Sequence, residues 1–323
     1  MAKLKPERLL ALGAERLTEL LVELANRDEA IEKRLMMLTA TNSETLKKVR
    51  AQISGLKRTK RFYDWKSIDK LHDRIELTLQ SISQLQIEPQ EGFELVSSFY
   101  ETDNAVYGNC DDSSGTIADL YRHGANDLLI QFGGRCEDKS WLAERVFKLN
   151  QRNDYGVRDG VLTAACEFLP KSDVRKLINR YCELAAEAAE KFSPAEDAPW
   201  NRPSRRCWSA ASELAAGIKD GPLHEMAYKS CWGEKPLNSA GWNDIAKVYL
   251  AAGDPKTALQ RLDNIDTNET FQKYDTQQLR IGAHKGIGKK TNRKAIASML
   301  RERLCASPRA KTCLLYTSPS PRD

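Results

Sequence analysis

Apolar residues recur along this chain at steps of three and four. Leu9, Leu10, Leu12, Leu17, Leu20, Leu21 and Leu24 line one broad face of a 3.6-residue spiral, which predicts an amphipathic helix. Ile31, Leu35 and Leu38 continue the pattern, Thr39 to Ser43 interrupts it, and Leu46, Val49 and Ile53 resume it as far as Gly55. A longer helix is predicted from about Ser67, carrying Ile68, Leu71, Ile75, Leu79, Ile82 and Leu85, with Pro89 as its terminator. Phe93 to Tyr100 forms another stripe, and Asn109 to Gly115 reads as a turn feeding a new helix. Further helices are predicted over 117–130, 139–150, 157–168 and 174–192. Pro194, Pro199 and Pro203 mark 193–203 as a linker. Strand-like alternation of Val, Ile and Thr is missing from the pattern, whereas Ala, Leu, Glu, Lys and Arg fill the periodic segments, so the fold class is all-α.

A longer period lies on top of this one. Trp242, then Ile245 and Ala246, Tyr249, Ala258 and Leu262 fall on the 34-residue tetratricopeptide pattern, with Gly253 at the turn between two helices. One period earlier come Trp208, Ala211 and Ser212, Ala215, His224, Tyr228 and Pro236. Small residues at Ala246 and Ala258 let two helices approach, and Tyr249 fills the groove to the next hairpin. Leu279, Ala283, Gly286, Ala295 and Met299, with Pro308 near the end, suggest a degenerate third copy in slipped register. The expectation is a helical-hairpin array, an α-solenoid that is tetratricopeptide-like in its C-terminal half.

The segments ALGAERLTELLVELA, CDDSSG, NDYGVRDG and DIAKVYLAAGDPKTALQRLDNI, taken in order, resemble a bacterial family known as domain of unknown function 6880, over residues 7 to 308. The resemblance implies a helical array and supplies no activity and no functional residues. The domains expected are an N-terminal helical region (1–88), a central helical region (89–192) and tetratricopeptide-like repeats (204–312). The last stretch, CLLYTSPSPRD at 313–323, reads as the translation of a common sequencing adaptor, which makes Thr312 the last native residue of a truncated chain.

Composition narrows the classes of function. With 41% hydrophobic and 29% charged residues, 323 residues can bury a core without disulfides, and no apolar run approaches the ~20 residues of a membrane span. Eight cysteines without a CxxC pair, and no signal-peptide pattern at the start, fit free thiols in the cytoplasm. The net charge of +5 is small for the length, so only local clustering can point to a polyanion.

Three clusters carry candidate chemistry. Asp111 and Asp112 in one turn, with Asp154 and Asp159 in another, could together face a divalent cation; the plainer account is helix capping by Ser113 or Ser114 with the aspartates near the positive end. Between Lys47 and Lys66 stand eight Lys or Arg residues against one acid, Asp64, with Phe62, Tyr63 and Trp65 interleaved. Lys57, Arg58, Lys60, Arg61 and Trp65 could contact nucleic acid, cations on phosphates and rings on bases. The plainer account makes this a solvated helix face with Phe62 and Trp65 anchoring the next helix. The four histidines are scattered, and neither a nucleophile elbow nor a Walker loop occurs. The leading expectation is therefore a scaffold binding a protein or peptide on its hairpins, ahead of a nucleic-acid binder and a metal-dependent enzyme. No cofactor is expected.

Overall fold

Backbone groups in a chain of this periodicity are satisfied locally, i to i−4, and the computed structural model is accordingly all-α. It describes residues 5–39, 41–191, 203–233, 235–266 and 269–288, with 293, 294, 296–299 and 301 beyond them. Ala295, Pro308, almost all of the 193–203 linker and the 313–323 tail lie outside the described residues. Among the described residues there is no strand, only an isolated parallel bridge between Tyr63 and Cys110. No helix among them is long and apolar enough to cross a membrane.

The helices run α1 (Pro6–Leu10), α2 (Gly13–Ala25), α3 (Glu29–Thr39), α4 (Asn42–Lys57), α5 (Ile68–Gln84), α6 (Pro89–Tyr100), α7 (Asp103–Tyr107), α8 (Thr116–Asp119) and α9 (Asn126–Arg135). They continue with α10 (Lys139–Asn150), α11 (Gly160–Phe168), α12 (Lys171–Lys191), α13 (Pro203–Gly217), α14 (Gly221–Trp232), α15 (Ser239–Ala251), α16 (Pro255–Leu262) and α17 (Lys273–Ile287). The chain divides into two units, one of residues 1–138 with 144–164, the other of 139–143 with 165–323.

In the first unit the interruption at 39–43 is a helix start. Thr41 Oγ1 accepts from Glu44 N at 3.3 Å while the Glu44 carboxylate accepts from Thr41 N at 3.0 Å, a capping box. Pro89 does not terminate the long helix, which ends at Gln84; it occupies the first position of α6, where a missing N–H costs nothing. The helix expected over 117–130 contains a π segment, Leu120–Ala125, whose Tyr121 carbonyl accepts from the Tyr100 hydroxyl at 2.8 Å. Phe93, Phe99, Tyr100, Tyr121 and Phe132 are fully buried around it. The apolar stripe of α2, by contrast, buries no residue, and Leu10, Leu12, Leu21, Val22 and Leu24 stand exposed.

In the second unit α13 with α14, and α15 with α16, form two hairpins whose turns repeat at 34-residue spacing. Gly253 turns the chain with φ 80° and Lys219 does so with φ 60°. Asp254 N bonds Tyr249 O and Asp220 N bonds Ala215 O, both at 2.9 Å. Asp254 caps α16 by accepting from Thr257 N at 3.0 Å, and Asp220 caps α14 by accepting from Leu223 N at 3.2 Å. Gly221 permits close packing, because a Cβ there would lie 2.5 Å from the Tyr249 ring. Ile245, Ala246, Tyr249, Ala258, Leu262 and Ile265 make a core against which Tyr228 and Trp242 pack. α17 follows on α15 and α16, with Thr276 Oγ1 donating to buried Asn243 at 3.1 Å.

Candidate functional site

The second unit has a groove of about 470 Å³ on α13, α14 and α15. α13 lines it with small side chains at Ser209, Ser212 and Ala216 and with the longer Arg205 and Glu213. α14 brings Tyr228 and Trp232, and the Arg205 guanidinium lies 4.2 Å from the Trp232 ring centroid. α15 supplies Asp244 and Lys247, ion-paired at 2.9 Å. His224 lines the groove with its side chain buried. Its Nδ1 lies 2.9 Å from the Ser212 carbonyl, which can only accept, so Nδ1 carries the proton and Nε2 keeps a lone pair with no partner among the described residues. Burial pushes the His224 pKa below its ordinary 6.5, and the ring is neutral at pH 7.

Beneath the groove Glu225 ties the hairpins together. Its carboxylate accepts from Lys229 Nζ at 2.6 Å, Arg261 Nε at 2.7 Å and the Tyr249 hydroxyl at 2.9 Å. Burial alone would raise this acid, but the three donors outweigh it and hold the pKa below the usual carboxylate value. Of the residues picked by spacing, Ala215, Ala246, Tyr249, Ala258 and Leu262 are buried, Trp208, Tyr228 and Trp242 are half-buried, and Pro236 and Gly253 are exposed in connections. Trp242 also carries Lys229 Nζ at 5.0 Å from its ring centroid.

The basic segment behaves otherwise. Lys57 pairs with Glu101 at 2.8 Å, while Arg58, Lys60 and Arg61 are exposed without an ion partner among the described residues. Phe62 and Trp65 do not anchor the next helix: they are 59% and 72% exposed. Only Tyr63 turns inward, and its backbone bonds the turn at 109–111.

Asp111, Asp112 and Asp159 are engaged by neighbours in the chain. Asp112 accepts from Ile117 N at 3.0 Å and Ala118 N at 2.8 Å, so it, and not Ser113 or Ser114, satisfies the start of α8. Asp111 accepts from the Ser113 N–H and hydroxyl, and Asp159 accepts from Asn153 Nδ2 at 2.6 Å. Stacking of Tyr107 on Tyr155 at 5.2 Å makes the two turns neighbours. Even so, Asp111, Asp112, Asp154 and Asp159 do not gather at ligand spacing; among the described residues the trio with that spacing is His72, Asp73 and Glu76 on α5, with both acids exposed.

Sequence reading overlooked Arg158, inside the NDYGVRDG segment. Its guanidinium is buried and donates to both oxygens of Asp103 at 2.7 Å, to Leu149 O at 3.0 Å and to Tyr100 O at 3.2 Å. The available signal was a lone arginine beside Val157, Val161 and Leu162. The described cysteines are all free thiols; burial pushes Cys110 and Cys231 up to about 11 and Cys166 up to about 12.

No curated protein and no solved structure matches the chain. A family of unknown function does, over residues 2–219. The match takes in CDDSSG, NDYGVRDG and the latching Arg158, and it stops at Lys219, so the hairpin of α15 and α16 lies beyond it. Since the matched segment is more than half of the 323 residues, the chain belongs to the family of unknown function DUF6880.

Proposed function

We propose that the protein is a cytoplasmic interaction scaffold whose hairpins stack as a tetratricopeptide-like solenoid and hold a peptide segment of a partner protein in the groove on α13–α15. The groove carries the reading: about 470 Å³ is room for a few side chains, and the Tyr228 and Trp232 rings stand in it among polar and charged groups of Arg205, Asp244 and Lys247. Trp232 and Tyr228 are the kind of aromatic surface that dominates binding energy, and Trp232 is 40% exposed. The unpartnered Nε2 of His224 and the Asp244–Lys247 pair favour a polar backbone over a purely greasy ligand. Peptide binding by hairpin arrays is an analogy of fold, and the free thiols are what favours the cytoplasm.

Selection of peptides from a displayed random library on the full chain tests this directly. Selected peptides should lose about tenfold or more in affinity on Trp232→Ala or Tyr228→Ala, measured by calorimetry. Failure to select any peptide, or peptides indifferent to both changes, overturns the proposal.

A further inference from the structure

The segment 57–66 of the first unit is a second surface, independent of the groove. Loops that merely connect helices turn their large aromatic residues inward, because each ring left in water forgoes about 1.5–3 kcal/mol of burial. Here the opposite holds at two positions three residues apart. Phe62 and Trp65 face solvent, although the backbone between them is tied down. Tyr63 N donates to Asn109 O at 2.8 Å, Asp111 N donates to Tyr63 O at 2.9 Å, and Asn109 Nδ2 donates to Thr59 O at 3.1 Å. On the far side Ser67 Oγ donates to the Asp64 carboxylate at 2.6 Å, which keeps the segment's one acid occupied with its own backbone turn.

Around the rings cations outnumber acids, with Asp64 the segment's single carboxylate. Lys57, which pairs with Glu101, and Arg58, Lys60, Arg61 and Lys66 are all exposed. Lys66 Nζ lies 5.0 Å from the Trp65 ring centroid and the Arg61 guanidinium 5.5 Å from that of Tyr63, so cations and ring faces are interleaved rather than segregated.

We infer that this loop binds single-stranded nucleic acid. Phosphates attract the cations, and a ring held out in water has its face free for an unstacked base, which a duplex does not offer. The segment contains no Leu, Ile, Val or Met, the aliphatic bulk that a bilayer-inserting loop uses, so the ring-and-cation pattern favours bases over lipid. Stacking and phosphate contacts read no base edge, so the preference among sequences is weak.

Fluorescence anisotropy of the full chain with a labelled oligothymidylate of about 15 nucleotides, at low salt, tests the inference. The expected result is saturable binding, weaker for a duplex of the same length, that falls linearly in log–log form with salt. Trp65→Ala should weaken it about tenfold and Trp65→Phe much less. The combined change of Arg58, Lys60 and Arg61 to alanine should lower the salt slope by about two. Melting curves matching the wild type establish that the variants fold, as an exposed ring predicts. Absence of binding at low salt, or binding and a salt slope unaltered in these variants, overturns the inference. So does Trp65-dependent binding to phosphatidylserine–phosphatidylcholine vesicles that is tighter than binding to the oligonucleotide. None of these results touches the peptide groove, whose residues lie elsewhere in the chain.

Discussion

Trp65 and Trp242 each carry a lysine ammonium 5.0 Å from the ring centroid, and there the likeness ends. Trp242 is half-buried against the core that contains Ile245, Tyr249 and Leu262, while Trp65 is 72% exposed on a loop whose order comes from backbone pairing. A cation over a ring is therefore no guide to a tryptophan's role. What separates the two is whether a hydrophobic core lies against the ring. Trp242 serves cohesion and the loop leaves Phe62 and Trp65 uncovered, so the first unit coheres by other means, its buried aromatic core and the Arg158–Asp103 pair.

The sharpest way to break this contrast is to remove those other means. Asp103→Ala leaves the Arg158 guanidinium buried without its carboxylate, and the first unit should lose about 3–5 kcal/mol in chemical denaturation. A loss below about 1 kcal/mol would mean that the latch is dispensable. Next in size, Trp242→Ala should destabilise the second unit by about 2–3 kcal/mol, and Trp65→Ala should stay within about 0.5 kcal/mol. Equal effects would erase the distinction.

Acid should act on the hairpins through His224 and Glu225. The His224 pKa is depressed on folding, so the unfolded chain binds more protons below the ordinary 6.5, and the melting temperature should drop as pH falls from 7 through that value. Glu225, also depressed, contributes stability above its ordinary 4.5 that is lost as pH falls further through its folded value. His224→Gln should flatten the first part of the profile and leave the second. A modest gain is expected at Lys219, a non-glycine in the left-handed region where Gly253 stands 34 residues later. Lys219→Gly should raise stability by about 0.5–1 kcal/mol.

The sequence showed the helices because their period is local, and it showed the core of the second hairpin because Trp242, Ala246, Tyr249 and Ala258 differ so much in size that their spacing is legible. The turn of the first hairpin was hidden: Ile218-Lys219-Asp220-Gly221 matches Ala252-Gly253-Asp254-Pro255 at the aspartate alone, and the shared geometry is in the backbone. Exposure was the least visible property. Leu21 and Leu24 have the same stripe as buried Leu71 and Ile75, since a stripe says which side is apolar and not whether anything covers it. The groove was partly foreshadowed by Tyr228 and His224 at repeat positions, but Arg205 over Trp232 joins two helices at a separation no periodicity encodes. Arg158 went unread for a similar reason, its partner Asp103 lying 55 residues away.

The π segment at Leu120–Ala125 sets the phase of everything after it. The wide turn takes up one residue more than an α turn, so excising one residue there would restore a regular spiral and leave the following helix on its present face. Leu128, Leu129 and Phe132 would stay interior, whereas straightening the turn with no residue removed would rotate them by about 100° toward water. A relative lacking that residue therefore carries the same oily positions one number earlier in its chain. The wide turn is a phase-shifter, and it can be recognised in other members as a single-position offset between two otherwise matching stripes.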